Sequence, residues 1–460
     1  MLWMFRSGRV FPAKDCARNG AAAREMSGKG SARRMQKKRP QVSILIANLP
    51  AERDRRVIRE CLSLERAGYD VTVIAPRGDR TLKTLPGSRN TRLKPYPVYV
   101  LGSGVLSFAF EFLWSFLCIA VRLVGEVFAG RAHAVQVCNP PDVYWPLALV
   151  FRALGRPWVF DHHDLSPEIY ATRSGDNPPN PLVFRTLVGF EWMSLRTASA
   201  VFATNESFRE NALSRGVAGE KVTVVRNGPA RDEIAVAGQT EGDTGRTPNH
   251  LVYLGVLGPQ DNVEGAVLAA EELTRLRGRT DWRLTVAGDG ESMPALQKLV
   301  SDRGLGDVVE FAGWLDAKGV DDLLRSATVA IQPDLPTRMN QLSTMAKTVE
   351  YLGRGLPVVA VDLIETRRSA EEAAVYVPTG DPAEFGAAIN ELFDDPARRA
   401  RMRRDGLARF AEVLSWEHQA ERYIAVWNRL LAKRLPPARA GVSIPRQRTG
   451  EELTSTARDE

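Results

Sequence analysis

From Gln41 onward the chain alternates short β-branched apolar runs with charged, helix-periodic stretches, and that alternation restricts it to α/β architectures built on parallel sheets. The first cycle reads VSILIA, RVIRECLSLERAG and YDVTVIAP, a strand, a helix and a strand. Further buried strands follow at AVQVC, WVFD, SAVFAT and KVTVVRNG. A polar, glycine-containing stretch, residues 235–249, then interrupts the pattern, which restarts at HLVYLG and runs through WRLTVAGDG, VVEFAGW, TVAIQP, LPVVAV and AVYVP. The expectation is two doubly wound domains, 41–234 and 250–410, joined by a linker at 235–249 and facing each other across a cleft. Residues 411–435, which include Trp416, Tyr423 and Trp427, are expected to form helices that pack back across the interface. Residues 436–460 read as a disordered tail.

Charge narrows the function. The formal net charge is +7, but eleven Lys or Arg residues against Asp15 and Glu25 lie in the first forty positions, so the remainder carries about −2. A folded body without a basic field is a poor polyanion binder, and no nucleic-acid partner is expected. Residues 1–40 read either as a disordered basic tail or as a misplaced start, since Met35 directly precedes the first strand. Four scattered cysteines without CxxC spacing and five histidines without HxxxH or HExxH give no metal-site pattern, and a reduced cytoplasmic protein is the default expectation.

The stretch from Val105 to Gly125 is apolar, yet Glu111 and Arg122 leave ten uncharged residues between them, about half of a spanning helix. Ser107, Glu111, Ser115 and Arg122 would form one thin polar stripe on it. Two readings fit: a helix buried against the sheet, or a peripheral contact at the inner face of the plasma membrane through Phe112 and Trp114.

The first strand is not followed by GxGxxG, which disfavours a dinucleotide-dependent oxidoreductase, and no GxxxxGK[ST] is present for a P-loop enzyme. The densest chemical cluster is PDLPTRMNQLSTMAKTVEYLGRGLPVVAVDLIETRRSA, residues 333–370. A helix opening near Asn340 or Ser343 would put Ser343, Lys347 and Glu350 on one face. Free amides at Thr344 and Met345 could then bind phosphate, Lys347 neutralise its charge, and Glu350 accept hydrogen bonds from ribose hydroxyls. An ordinary Lys/Glu pair on a solvated helix fits the same spacing. In the first domain His163, beside Asp161 and Asp164, suits either a cleft-lining or a structural role, and only one of His162 and His163 can line the cleft. Asn139 and Asp142 read as cleft-rim residues or as caps of the following helix.

The 333–376 segment is similar to the donor-binding motif of glycosyltransferase family 4, retaining enzymes of the GT-B fold with two Rossmann-like domains. It resembles especially a bacterial branch written PDxxxxxNxxSTMxKxxEYxxxGxPVVAxDLxExRxSAxxAAxY. YLGVLGPQDNVEGAV, FDHHDLSPEIY and NLPAERDRRVIREC match the same branch, so the resemblance spans residues 42–430. It implies that Glu350 is the second glutamate of a Glu, seven residues, Glu pattern and holds the donor ribose. The first glutamate is replaced by Leu342, which shifts its sugar contact to Ser343, Asp334, Asn340 or Glu365. Where the wider family grips the diphosphate with GRLxxxKG, this chain has GVLGPQDN, with Val256 and Asp261 at the basic positions. Gly258 in that loop, Lys347, the amides at the helix tip and Arg367 then remain for the phosphates. His163 matches a family histidine lying over the donor sugar.

What the resemblance implies is transfer of a sugar from a nucleotide-diphosphate donor to a saccharide or lipid-linked acceptor, with retention, in the synthesis of cell-surface polysaccharide or glycoconjugate. The leaving diphosphate would be stabilised by preorganised amides and Lys347, with no metal or other cofactor. The alternatives are a nucleotide-sugar epimerase of the same fold and a catalytically silent nucleotide-sugar-binding relative.

Overall fold

The computed structural model describes residues 39–99, 105–173, 178–234, 245–278 and 281–434. Most of the basic N-terminal stretch, residues 235–244 of the expected linker and the C-terminal tail lie outside them.

The first domain runs β1 (Gln41–Leu45), α1 (Arg55–Arg66), β2 (Asp70–Pro76), β3 (Arg92–Tyr96), α2 (Val105–Phe128), β4 (Ala134–Cys138), α3 (Trp145–Ala153), β5 (Trp158–His162), α4 (Ser166–Arg173), α5 (Pro181–Thr197), β6 (Ala200–Ala203), α6 (Glu206–Ser214) and β7 (Val222–Val224). Its seven strands, all parallel, lie in the order β3-β2-β1-β4-β5-β6-β7. The sequence pattern misses β3, and the reason is its place: RLKPY is an edge strand, where Pro95 costs no ladder hydrogen bond.

The second domain runs β8 (His250–Leu254), α7 (Val263–Arg277), β9 (Arg283–Ala287), α8 (Met293–Asp302), β10 (Val309–Gly313), α9 (Ala317–Ser326), β11 (Val329–Gln332), α10 (Arg338–Leu342), α11 (Ala346–Gly353), β12 (Val358–Val361), α12 (Ile364–Ala370), β13 (Ala374–Val377), α13 (Pro382–Asp394) and α14 (Pro396–Arg409). Its six parallel strands lie in the order β10-β9-β8-β11-β12-β13. Each sheet therefore reverses its winding once, at β1/β4 and at β8/β11, and loops leaving the carboxyl ends of those strands are where an α/β sheet binds ligands.

A π-helical turn, Phe410–Leu414, leads into α15 (Trp416–Leu430), which returns to the first domain. Trp416, Tyr423, Val426 and Trp427 are buried among Val42, Ile44, Val71 and Phe202 of the first domain's core. Removal of one such aromatic typically costs about 3–5 kcal/mol, so this helix ties the two halves together. The outward and return crossings touch at Gly228, where a Cβ would sit 1.8 Å from the Leu414 carbonyl oxygen and no larger residue fits.

The carboxyl ends of the two sheets face one another. Asn205, after β6, donates to the Leu342 carbonyl at 2.8 Å, and the Ser207 amide and hydroxyl donate to Glu365 at 2.9 and 2.7 Å.

Helix α2 is inverted relative to an ordinary amphipathic surface helix. Its polar stripe points inward: Ser115 is buried and shares a 2.9 Å hydrogen bond with Tyr144, and Arg122 donates to the Pro95 carbonyl at 3.0 and 3.2 Å. Phe110, Leu113, Leu117, Val121, Val124 and Phe128 point outward. Phe112 and Trp114 are half-buried, with Trp114 Nε1 donating to the Pro97 carbonyl at 2.8 Å, which corrects their expected place on the outer face. No helix among the described residues is long and apolar enough to cross a membrane.

Candidate active site

On the second domain's side the loop after β8 carries Gly258 into a short 3-10 turn, Pro259–Asp261, and Asn262 then starts α7 in the left-handed conformation, with Nδ2 donating to the Pro333 carbonyl. The loop is packed backbone to backbone against the end of β9: a Cβ on Gly288 would lie 1.7 Å from the Gly255 carbonyl oxygen. Asn340 is buried and donates to the carbonyls of Leu335 and Gln260, which fastens the loop after β11 to the loop after β8. Asn340 thus holds the two switch-point loops together.

The helix expected to open at Asn340 or Ser343 is two helices. Thr337 caps α10, residues 343–345 are extended, and α11 begins at Ala346, which is exposed. Ser343 is consequently off the helix, and its hydroxyl donates to the Met339 carbonyl. Thr344 Oγ1 accepts from Asn205 of the first domain, and Met345 is the N-cap, with no side chain capping the amides that follow.

Lys347 occupies a different setting from the open phosphate cation expected of it. Its ammonium is buried, 2.9 and 3.1 Å from the two Asp334 oxygens, 3.1 Å from Asp261 and 3.2 Å from the Tyr253 hydroxyl. Burial opposes its charge, but Asp334, then Tyr253 and Asp261, hold it protonated well above the usual lysine range. Asp261, at the position of a family cation, is a partner of this lysine. Glu350 is half-buried and accepts from Arg354 Nη1 at 2.6 Å. Arg367 grips Asp362 with two hydrogen bonds and stacks on Tyr376, and Glu365 is fully buried in the contact with Ser207 and Arg368. Arg367 is therefore committed away from the helix tip, and Glu365 bridges the domains.

On the first domain's side His163 follows β5, with its Nε2 2.7 Å from Asp161 Oδ2 and its ring partly open. His162 is fully buried, 3.4 Å from Glu191. Asp161 receives a fork from Arg56, at 3.1 and 2.8 Å, and a further bond from Gln136 at 3.0 Å. Burial would raise its pKa, but Arg56 and then His163 hold the carboxyl far below the usual range, so it is an acceptor and His163 Nε2 carries the proton. Glu60, beside the same cluster, is pushed upward by burial and by Asp161. Cys138 Sγ, Asp161 and His163 offer ligand atoms within 4.8 Å of one another, but both Asp161 oxygens already take Arg56.

Asn139 and Asp142 are neither rim residues nor caps. Asn139 Oδ1 accepts from the His163 and Asp164 amides, and its Nδ2 donates to Asp142 and to the Asp164 carbonyl. Asp142 accepts from Ser166 at 2.5 Å, and burial pushes its pKa up to about 6. Together they fix the backbone that carries His163. At the cleft rim a pocket of about 220 Å³ separates α4 from α10, walled by Glu168, Phe184, Arg338 and Met339. A smaller pocket lies against Pro141, walled by Asn48, Tyr99, Glu111 and Trp114.

Arg56, Tyr253 and Gln136 escaped the sequence reading. Arg56 stands in RDRRV, where nothing separates it from its solvated neighbours, and only the burial of α1 selects it.

A model described as "Glycosyl transferase 4-like domain" matches residues 54–228, and one described as "Glycosyl transferases group 1" matches residues 248–395. The chain is 27% identical over 320 residues to an MMP alpha-(1->4)-mannosyltransferase of Mycolicibacterium hassiacum, covering 67% of this chain and 74% of that protein. It is 32% identical over 154 residues to an alpha-D-kanosaminyltransferase of Streptomyces kanamyceticus, and there it spans only 38% of the relative's length and 33% of its own. Among solved structures, a sucrose-phosphate synthase from Thermosynechococcus elongatus superposes with a TM-score of 0.67 at 19% identity, covering 86% of this chain and all of that one. The Anabaena protein HepE in complex with UDP gives 0.61 at 15% identity, covering 85% and 100%. Two adjoining glycosyl transferase models and a shared two-domain architecture place this chain among the glycosyltransferases of the GT-B fold.

Proposed function

We propose that the chain moves a sugar, with retention, from a nucleotide-diphosphate sugar to a saccharide or lipid-linked acceptor in cell-surface polysaccharide or glycoconjugate synthesis. The observation that carries the reading is that the carboxyl end of the first sheet, where His163 follows β5 and Asn205 follows β6, meets the 334–345 segment after β11 of the second domain's switch point, with Asn205 donating to Leu342 and Thr344. The similarity to Anabaena HepE, solved in complex with UDP and with UDP-glucose, supports a nucleotide-sugar donor. The open amides at the start of α11 would take the diphosphate, with Glu350 on the ribose and no metal required. A thermal-shift screen across UDP, GDP, ADP and their sugars, followed by transfer from the stabilising donor with and without EDTA, tests this. The anomeric coupling of the product by NMR reads retention.

A silent, nucleotide-binding relative is the second reading, favoured by the neutralised Lys347 and by Leu342 at the first family glutamate. Stabilisation by a nucleotide sugar without transfer or hydrolysis would select it.

The acceptor side is consistent with work at an anionic membrane surface. Beside the outward apolar face of α2 stand exposed Leu149, Val150 and Leu154 around the end of α3 and Leu182 and Trp192 of α5. Arg152, Arg185 and Arg196 are exposed on those helices, whereas every described Asp or Glu between residues 105 and 200 is buried or half-buried. An apolar surface with only cationic charges at its edge suits anionic headgroups.

A further inference from the structure

The network behind His163 reaches both chain crossings between the domains. Arg56 is buried on α1, with Nε 3.1 Å from Glu60, and its guanidinium also bridges two more distant parts of the chain. Nε and Nη2 hold the Asp161 carboxylate, and Nη1 donates to the Val225 carbonyl at 2.7 Å and to Asn227 Oδ1 at 3.0 Å. Val225 and Asn227 directly follow β7, in the strip of chain that leaves the first domain, one residue before the Gly228 contact with Leu414. The return crossing arrives at the same place: Tyr423 of α15 donates to Gln136 Oε1 at 2.7 Å, and Gln136 Nε2 donates to Asp161 at 3.0 Å.

We infer that Arg56 and Asp161 are a positioning pair through which the segment joining the domains sets the orientation of the His163 ring. A guanidinium is planar and rigid, so its two ends cannot move independently. Displacement of residues 225–227 as the domains close or open is therefore passed to the Asp161 carboxylate. That carboxylate holds His163 Nε2, while Asn139 pins the His163 amide at 2.6 Å, so the ring's remaining freedom is rotation against Asp161. This inference rests on the reading that His163 lies over the donor sugar.

The experiment compares the full-length protein with Asn227→Ala and Arg56→Lys, reading the ¹⁵N signals of the His163 ring, assigned with His163→Gln, alongside kcat, KM and Tm. Asn227 is exposed, so Asn227→Ala keeps the wild-type Tm while removing one anchor of Arg56. The expected result is a displaced His163 ring signal and kcat lowered about 3- to 10-fold at unchanged donor KM in Asn227→Ala. Arg56→Lys, which keeps the charge but cannot fork, should lower kcat by a further tenfold. Ring signals and kcat unchanged in both variants, with Arg56→Lys lowering only Tm, would overturn the inference. Full activity of His163→Gln would instead remove His163 from the reaction, and the ring signal of Asn227→Ala would still decide whether the crossing segment is coupled to it.

Discussion

The ammonium of Lys347 sits 2.9 Å from Asp334 and 3.1 Å from Asp261, so the lysine that the motif offers to the donor phosphates is already neutralised from within its own domain. Truncating it leaves two carboxylates uncompensated, one of them fully enclosed, and the loss of one partner of such a buried pair costs about 3–5 kcal/mol. Lys347→Ala should therefore lower Tm by roughly 6–20 °C as well as turnover by about 10². Lys347→Ala combined with Asp334→Ala should recover a large part of the Tm but none of the turnover. Thermal denaturation of the two singles and the double gives the coupling, and additive losses in Tm would show that the pair is not one unit.

Glu350 makes the opposite case. It is half-buried and pairs with Arg354 one turn on, and that buried guanidinium keeps a second carboxylate, Asp321 at 3.1 Å, when Glu350 is removed. Glu350→Ala should leave Tm within about 2 °C of wild type and lower turnover by about 10² if the carboxylate holds the ribose. Initial rates at saturating donor measure it. Near-normal transfer would remove Glu350 from the mechanism.

Asp142 gives the molecule a stability dependence on pH. Burial raises its pKa from the ordinary value near 4 to about 6 in the folded chain, so between these pH values the native state binds more protons than the unfolded state. Stability that is fully present below pH 4 is lost as pH rises through 6. Asp142→Asn removes this loss while retaining an acceptor for Asn139, so its Tm relative to wild type should climb as pH is raised from 4 to 7. Parallel melts across that range test the sign, and a difference that stays flat would mean that Asp142 titrates normally.

Two sheets, their strand content and the position of the restart were legible because fully buried parallel strands need uninterrupted β-branched runs, as in AVQVC and LPVVAV. β3 was not, since an edge strand needs only one buried face. Within the site, spacing grouped Ser343, Lys347 and Glu350 on one helix face, but Ser343 lies before α11, and what each side chain touches could not be read from spacing. Asp334 and Asp261 reach Lys347 from separate loops, thirteen and eighty-six positions away, and no local periodicity encodes a contact over that distance. Arg56 is the extreme instance, because its partners Asp161 and Val225 meet it only after the sheet has closed around α1.

The inversion of α2 changes which residues should govern membrane binding. Leu117 and Val121 are exposed one turn apart in the middle of the outward stripe, whereas Trp114 is held to the Pro97 carbonyl and Phe112 is half-buried. Fully burying a leucine or valine is worth about 1.5–3 kcal/mol each, so replacing both by serine removes several kcal/mol of interfacial affinity. Leu117→Ser with Val121→Ser should abolish most flotation with anionic liposomes at unchanged Tm, and raised salt should weaken whatever the arginines contribute. Phe112→Ser with Trp114→Ser should lower Tm and bind no worse than its folded fraction allows. Flotation that survives the first pair of substitutions would place the apolar face of α2 against something other than lipid.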